Sequence, residues 1–461
     1  MRTTSEQRWV LGLASIGSVM VALDVLVVAA ALTTIRADLG ASAEQLEWTV
    51  NAYALSFAMF LMTAAAIGDR LGRRRTYAGG LALFTVASVG CALATSLPGL
   101  IAARAVQGVG AAAVMPLAMG LLGAAFPPER RGWATGVFSG LTGLAVLGGP
   151  MIGGAVTEGL SWQWIFWINV PIGVVAIALV LRKIPESRGT SRQLDLIGAV
   201  LISLAVLGLV WGVVNGETAG WASAEVLGSF AAGVVLLAAF GVWEGRSAHP
   251  MIPLSFFRNR TFTAANSAGF FLSAALFSAV FFLSQYMQVV FGSAPLKAGL
   301  QLLPWTATLF LVGPLAGRLI DRVGERPLVV IGLALQTLGM FWVSQSTGRY
   351  VELVVPLVVT GCGISLAMPA AQSAGVGALP REAVGIASGV YSMTRQLGGA
   401  AGVAVLGSVF VSAGGYAGHG FTRALAGCGV LSLLGALSGL GITARRRTGD
   451  LVATKVVEGV G

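Results

Sequence analysis

Residues Ala65–Arg75 read A-A-I-G-D-R-L-G-R-R-R and stand between two long apolar runs, Leu46–Ile67 and Tyr77–Thr95. Five charges fall within the seven residues Asp69–Arg75. A short loop between two membrane spans requires that layout, because charges leave the hydrocarbon and positive ones are kept in the cytoplasm. Gly317–Arg326 repeats it as G-R-L-I-D-R-V-G-E-R, so that Asp69, Arg70, Gly72 and Arg74 align with Asp321, Arg322, Gly324 and Arg326. Two copies in the same context predict a membrane bundle built as an internal repeat.

The rest of the chain agrees. Of 461 residues, 56% are hydrophobic and only 10% are charged, whereas a soluble domain carries about 25% charged residues. Fourteen runs are apolar enough for a span of about 20 residues. They start near Trp9, Leu46, Tyr77, Pro98, Gly132, Trp162, Leu194, Ala224, Thr261, Leu296, Leu328, Tyr350, Ala383 and Phe421. With both termini inside, 23 of the 29 Lys and Arg residues fall in cytoplasmic segments, 4 in outer loops and 2 (Arg104 and Arg395) in spans. That bias sets the orientation and explains the net charge of +10 without a nucleic-acid partner. The first run, Trp9–Leu32, is too long for a cleavable signal and contains Asp24. Cys91, Cys362 and Cys428 lie in apolar runs with neither disulfide nor metal spacing.

The first basic loop follows span 2 and its copy follows span 10, two spans later than two equal six-helix halves would place it. The expected organisation is therefore a six-helix bundle over residues 1–183, a linker with two extra spans over 184–250, and a second six-helix bundle with a cytoplasmic tail over 251–461. Ile184–Gln193 and Gly245–Asn259 read as polar linkers.

By this topology Asp24 is the one acid inside a span. A carboxylate at that depth is costly and marks a pathway or relay. Burial favours its neutral form and a nearby cation its charged form, so it can load and release a proton. Arg104 is the natural partner. Counting 1.5 Å per residue from the outer ends of their spans puts Arg104 about 9 Å deep and Asp24 about 12 Å deep. Gln107 and Gly108 extend the polar path by one turn. Arg395 has no buried acid in its own half; it is expected to bond helix-end carbonyls, a structural role, with lining the cavity or attracting anionic substrates as the alternatives. Span 9 carries Phe270, Phe271, Phe277, Phe281, Phe282 and Tyr286 together with Asn266, Gln285 and Gln288, a mixture suited to an apolar, drug-sized ligand. No G-x-x-x-x-G-K-[ST] is present, so ATP is not the direct energy source. His249 and His419 form no metal cluster, and no cofactor is expected.

The chain resembles the major facilitator superfamily, and within it the fourteen-helix drug:proton antiporters. Ala65–Arg74 is similar to the superfamily's loop signature, with Ala65 where glycine is usual. Arg104–Pro116 (R-A-V-Q-G-V-G-A-A-A-V-M-P) is similar to its helix 4 signature, and Gly136–Gly154 to the antiporter signature on helix 5, with Ala145 replacing a glycine. Trp162–Gly173, Leu194–Leu201, Pro250–Phe262, Tyr286–Pro304 and Arg395–Gly402 are similar to the fourteen-helix group in particular. The resemblance implies an all-α fold of two six-helix bundles plus two central helices in the cytoplasmic membrane. It implies proton coupling by Asp24 and Arg104, and a cytoplasmic gate of Asp69, Arg70, Gly72, Arg73, Asp321, Arg322 and Gly324, with Asp69 near a helix N-terminus at Ala383. It also implies an antiporter helix marked by Gly149, Pro150, Gly153 and Gly154, and a substrate cavity including Gln107, Met115, Asn266, Phe270, Phe277, Tyr286, Gln288 and Arg395. The family's polar residues after the helix 1 aspartate are replaced by Leu26 and Ala29, which favours apolar substrates. The expected activity is efflux of amphipathic drug-like compounds against protons by a monomer. The competing readings are a dedicated exporter of one metabolite or self-made antibiotic, and a non-transporting membrane sensor.

Overall fold

Gly72 and Gly324, the glycines of the two loop copies, both adopt left-handed backbone, with φ of 115° and 86°. Each ends one long helix and begins the next with no intervening loop. A side chain is strongly disfavoured in that conformation, so the repeated glycine is a requirement of the tight helix–helix turn. The structure, a computed structural model, describes residues 4–41, 43–189, 195–248, 250–293, 295–346, 348–380, 383–416 and 418–443. Arg2, Arg192, His249, Arg381 and the basic tail from Arg445 to Lys455 lie outside the described residues.

The helices are α1 (Ser5–Leu39), α2 (Ala43–Leu71), α3 (Arg73–Ala92), α4 (Leu97–Ala125), α5 (Pro128–Gly159), α6 (Trp164–Trp167), α7 (Asn169–Lys183), α8 (Leu196–Ala219), α9 (Ala224–Arg246), α10 (Arg260–Val289), α11 (Pro295–Gln301), α12 (Leu303–Val323), α13 (Glu325–Gln345), α14 (Tyr350–Gly377), α15 (Val384–Ser412) and α16 (Gly420–Gly439). A 3-10 turn, Leu254–Arg258, precedes α10. Taking α6 with α7 and α11 with α12, these form the fourteen membrane-length segments expected, with starts close to those read from the sequence. Among the described residues, eleven stretches are long and apolar enough by composition to cross a membrane.

Local chemistry explains several boundaries. Thr4 and Gln7 form a capping box at the start of α1. Asp195, Ser223 and Asn259 accept backbone N–H groups at the starts of α8, α9 and α10, satisfying donors that a helix leaves unpaired.

α1 to α7 pack on one another, as do α10 and α12 to α16. The two groups meet along two seams, α5 with α12 and α2 with α15. The seams are built from small residues. A Cβ on Gly136 would lie 2.6 Å from the Gly317 Cα, and one on Gly389 would lie 2.8 Å from the Ala65 Cβ. Ala65, the departure from the loop signature, therefore faces a glycine that leaves room for it. α8 packs against its hairpin partner α9 and against both α2 and α15. One apolar cluster joins Leu55 and Met62 of α2, Ile202 and Val206 of α8, and Ala387 and Val390 of α15. Ser203 of α8 donates to the Met59 carbonyl of α2 (2.9 Å), and Trp48 and Trp211 pack with ring centroids 5.2 Å apart.

The described part of the first linker is docked. Ser187 O accepts Arg73 N (2.8 Å), and Gly189 N donates to Asp69 O (2.8 Å). Glu186 Oε1 accepts Arg74 N (2.9 Å). The start of α3 offers unpaired N–H groups and positive charge, so a carboxylate just beyond α7 settles there. The second linker is held similarly. Glu244, 3% exposed, accepts Met251 N and Ile252 N at 3.2 and 3.1 Å.

Candidate functional site: a buried charge network and two basic-end carboxylates

Asp24 lies midway along α1, Arg104 two turns into α4, and the two meet. They are 3% and 0% exposed, and Arg104 Nη1 donates to Asp24 Oδ2 at 2.5 Å. The agreement of depth read from the sequence is thus a contact in the structure. Arg104 is held from three further sides. Its Nε donates to the Thr49 carbonyl (3.0 Å), its Nη1 also reaches Gln107 Oε1 (2.7 Å), and its guanidinium carbon lies 4.3 Å from the Tyr53 ring centroid. α2 and α4 can approach closely enough because Gly108 has no side chain. A Cβ there would collide with Ser56 Oγ and Tyr53 O.

The second carboxylate oxygen, Asp24 Oδ1, accepts Gln107 Nε2 (2.9 Å) and Asn169 Nδ2 (3.0 Å). Gln107 Nε2 also donates to Ser88 Oγ (2.9 Å), and Cys91 Sγ lies 3.7 Å from Gln107 Oε1. Helices α4 and α7 thus donate to a carboxylate carried by α1, while α2 and α3 hold the donors of α4 in place. The buried carboxylate thus has a guanidinium and two side-chain amides as donors, the partners that offset the cost of taking it out of water.

At the basic end of the bundle the two loop aspartates take equivalent places. Asp69, 1% exposed, accepts Arg73 Nε at 2.8 Å and lies against Gly385 in the first turn of α15, where a Cβ would collide with its carboxylate. Asp321 Oδ2 accepts Trp133 N (3.1 Å) in the second turn of α5. Each carboxylate reaches from one bundle to a helix start of the other, the end that attracts negative charge. The position aligned with Arg73 is Glu325, which instead accepts Ser373 Oγ (3.3 Å). Arg70 and Arg322 are exposed.

The remaining candidates do not gather at one place. Gln107 belongs to the Asp24 network. Met115 packs against the apolar core of the first bundle. Asn266, Phe270 and Phe277 lie on α10. Asn266 Nδ2 donates back to the Phe262 carbonyl (2.8 Å); Phe277 is 42% exposed and borders Gly399 of α15. Arg395 of α15 donates from Nε to Ser273 Oγ of α10 (3.2 Å). Tyr286 is buried in an aromatic cluster, stacked on Phe421 with centroids 3.9 Å apart, and Gln288 is exposed and turned back to Ser284. Gly149 and Gly153 are buried in α5; the surroundings of Pro150 and Gly154 lie outside the described residues.

Asn169, Ser88, Tyr53 and the Thr49 carbonyl are the members of the network that sequence reasoning missed. Asn169 carried a signal, an amide within the apolar run W-I-F-W-I-N-V-P-I-G. The others are ordinary residues of helices whose partners are set by tertiary packing.

The architecture, with its two bundles, paired basic loops and buried charge network, is that of a membrane transporter. The family model of the Major Facilitator Superfamily matches residues 14–403 and 265–455, and the chain belongs to that superfamily. It is 34% identical over 402 residues to the tetracenomycin C resistance and export protein of Streptomyces glaucescens, covering 86% of this chain and 75% of the relative. It is 34% identical over 444 residues to the methylenomycin A resistance protein of Streptomyces coelicolor, covering 95% and 93%. Multidrug resistance protein Stp of Mycobacterium tuberculosis is 35% identical over 400 residues, covering 86% and 74%. Among solved structures, a double-tryptophan mutant of XylE aligns with a TM-score of 0.71 at 13% identity, covering 96% of this chain and 98% of that one. The human organic anion transporter MFSD10 aligns at 0.67 and 15%, covering 95% and 100%. These two likenesses establish the fold.

Proposed function

We propose that this protein is a proton-coupled exporter of amphipathic, mainly apolar compounds, of the kind represented by antibiotics, dyes and antiseptics, in the cytoplasmic membrane. The carrying observation is the Asp24–Arg104 pair, buried within the first bundle and tied to Gln107 and Asn169. An ion pair costs several kcal/mol to desolvate, and a membrane protein that retains one at this depth has a use for it. The names of the relatives, which concern antibiotic resistance and multidrug resistance, support the substrate class. The apolar Leu26 and Ala29, which follow Asp24 in sequence, agree with it.

In this reading the basic end faces the cytoplasm and both termini are cytoplasmic. The monomer is the working unit, with residues 1–183 and 251–461 as moving halves and 184–250 between them. Asp24 takes a proton from outside and releases it inside, and the proton gradient is the energy source. The test is efflux from energised vesicles, with a panel of dyes and antibiotics and an uncoupler control. Asp24→Asn is expected to keep substrate binding and to lose uphill transport and substrate-induced proton release. An Asp24→Asn protein that still transports uphill in an uncoupler-sensitive way overturns the assignment.

A second reading is a dedicated exporter of one compound. The relatives named for a single antibiotic, tetracenomycin C and methylenomycin A, favour it. Transport of one compound only from the panel would decide for it.

A further inference from the structure

Asp24 Oδ1 has two amide partners that look interchangeable, and their surroundings make them different. Gln107 is locked. Its two Nε2 hydrogens serve Asp24 Oδ1 and Ser88 Oγ, at 2.9 Å each. Its Oε1 accepts Arg104 Nη1 (2.7 Å) and faces Cys91 Sγ (3.7 Å). Ser88 cannot help it turn, because the Ser88 hydroxyl donates to the Phe84 carbonyl (2.8 Å). A flipped Gln107 would set its N–H against the Arg104 N–H, two donors face to face. Asn169 sits differently. It is the first residue of α7, directly after Ile168, the residue that separates α6 from α7. Its Nδ2 donates to Asp24 Oδ1 at 3.0 Å, and no guanidinium faces it in the network described above. An amide carries a donor and an acceptor on the same fork, so a half-turn exchanges one for the other.

We infer that Asn169 is the positioning residue that responds to the proton on Asp24: its amide donates to the ionised carboxylate and turns to accept from the protonated one. The step is a proton transfer alone. A proton arriving on Asp24 Oδ1 makes that oxygen a donor that still accepts: the locked Gln107 N–H keeps its place, the Asn169 N–H leaves, and the Asn169 carbonyl oxygen takes the new O–H. Gln107 and Arg104 hold the rest of the network in place. The change is delivered to the α6–α7 elbow. That elbow runs back through Phe166, which meets Trp162 edge-on (6.2 Å between centroids), to Trp162 Nε1, which donates to Asp38 Oδ2 at the far end of α1 (2.7 Å). The proton on Asp24 is thereby linked to the end of the bundle opposite the basic loops. The charged or titratable groups facing Asp24 are Arg104 of α4, Tyr53 of α2 and Cys91 of α3; α7 brings the Asn169 amide.

This inference rests on the proposed function, and the test separates the two. Infrared difference spectra of purified protein between neutral and acidic pH should show a carboxylic C=O band that vanishes in Asp24→Asn. In Asn169→Leu, which can neither donate nor accept, that band should shift. Substrate-induced proton release should move to higher pH by about one unit, as expected for loss of one hydrogen bond to a charged group. Asn169→Ser, whose hydroxyl both donates and accepts, should restore the wild-type profile, and it serves as the working variant if the leucine protein fails to insert. A wild-type band and a wild-type pH profile in Asn169→Leu overturn the inference while leaving the role of Asp24 standing. So does an Asn169→Ser protein that behaves as Asn169→Leu. Absence of any band dependent on Asp24 overturns both.

Discussion

Arg104 shows how much one side chain can be asked to do. It spends Nε on a backbone carbonyl of α2, Nη1 on a carboxylate of α1 and an amide of its own helix, and its flat face on Tyr53. Lysine carries the same charge but has no fork and no face. Arg104→Lys is therefore expected to insert normally and to lose most proton-driven transport, measured in energised vesicles. Arg104→Leu leaves Asp24 buried without its cation, a broken buried pair that costs about 3–5 kcal/mol. Its melting temperature in detergent should fall clearly, and the double variant Asp24→Asn, Arg104→Leu should recover part of the loss. An additive or larger loss in the double variant would show that the two residues are not energetically a pair. At this scale the sequence was partly legible. Asp24 and Arg104 announce themselves because a charge inside an apolar run is conspicuous and depth can be counted along a helix. Asn169 and Ser88 do not, because their importance lies in which helix they face. The aromatic run of α10 is illegible for the same reason. Tyr286 packs on Phe421 of α16, and no periodicity within α10 contains that fact.

At the scale of elements, the helix–helix turns carry the clearest link from sequence to geometry. Gly72 and Gly324 are both left-handed, but their settings differ. A Cβ on Gly72 would lie 2.5 to 2.7 Å from the Glu186 carboxylate, which is docked on the start of α3. Substituting alanine costs about 1–3 kcal/mol from backbone conformation alone, because positive φ with extended ψ is nearly exclusive to glycine. Gly72→Ala must also displace Glu186 from Arg74 N, and should therefore destabilise more than Gly324→Ala in thermal melts. Combining Gly72→Ala with Glu186→Ala should narrow that difference, and equal melting shifts for the two single variants would show that the linker is not fixed there. The helix boundaries were legible because apolar run length, capping residues and turn glycines act locally. The linker was not. Ile184–Gln193 reads as polar spacer, yet Glu186, Ser187 and Gly189 are bonded to the basic loop. Polar composition excludes a segment from lipid without saying whether it finds a partner.

Across the whole molecule, the repeat supplies a symmetric closure of the basic end. Asp69 lies on the first turn of α15 and Asp321 on the second turn of α5, so each bundle places one carboxylate near a helix start of the other. The sequence repeat made the two loops legible as equivalents, but not the helix starts that receive them, because those depend on how the halves are set against each other. The closure is uneven in strength. Asp69 is buried and paired with Arg73, whereas the residue aligned with Arg73 is the acidic Glu325. A carboxylate at a helix start contributes about 0.3–1 kcal/mol when exposed and up to about 2 kcal/mol when partly buried. Two such contacts can shift a two-state equilibrium by one to two powers of ten without threatening the fold. Asparagine keeps the shape and one acceptor but removes the charge. Asp69→Asn should thus weaken closure more than Asp321→Asn, and the double variant should exceed either. The measurement is the distance distribution between spin labels at the starts of α3 and α13, in protein whose Cys91, Cys362 and Cys428 have been replaced. A second, longer distance should grow in the order wild type, Asp321→Asn, Asp69→Asn, double variant, with transport turnover falling in parallel while insertion is retained. Unchanged distances in the double variant would mean that the glycine-lined seams, Gly136 against Gly317 and Ala65 against Gly389, hold the basic end shut by packing alone.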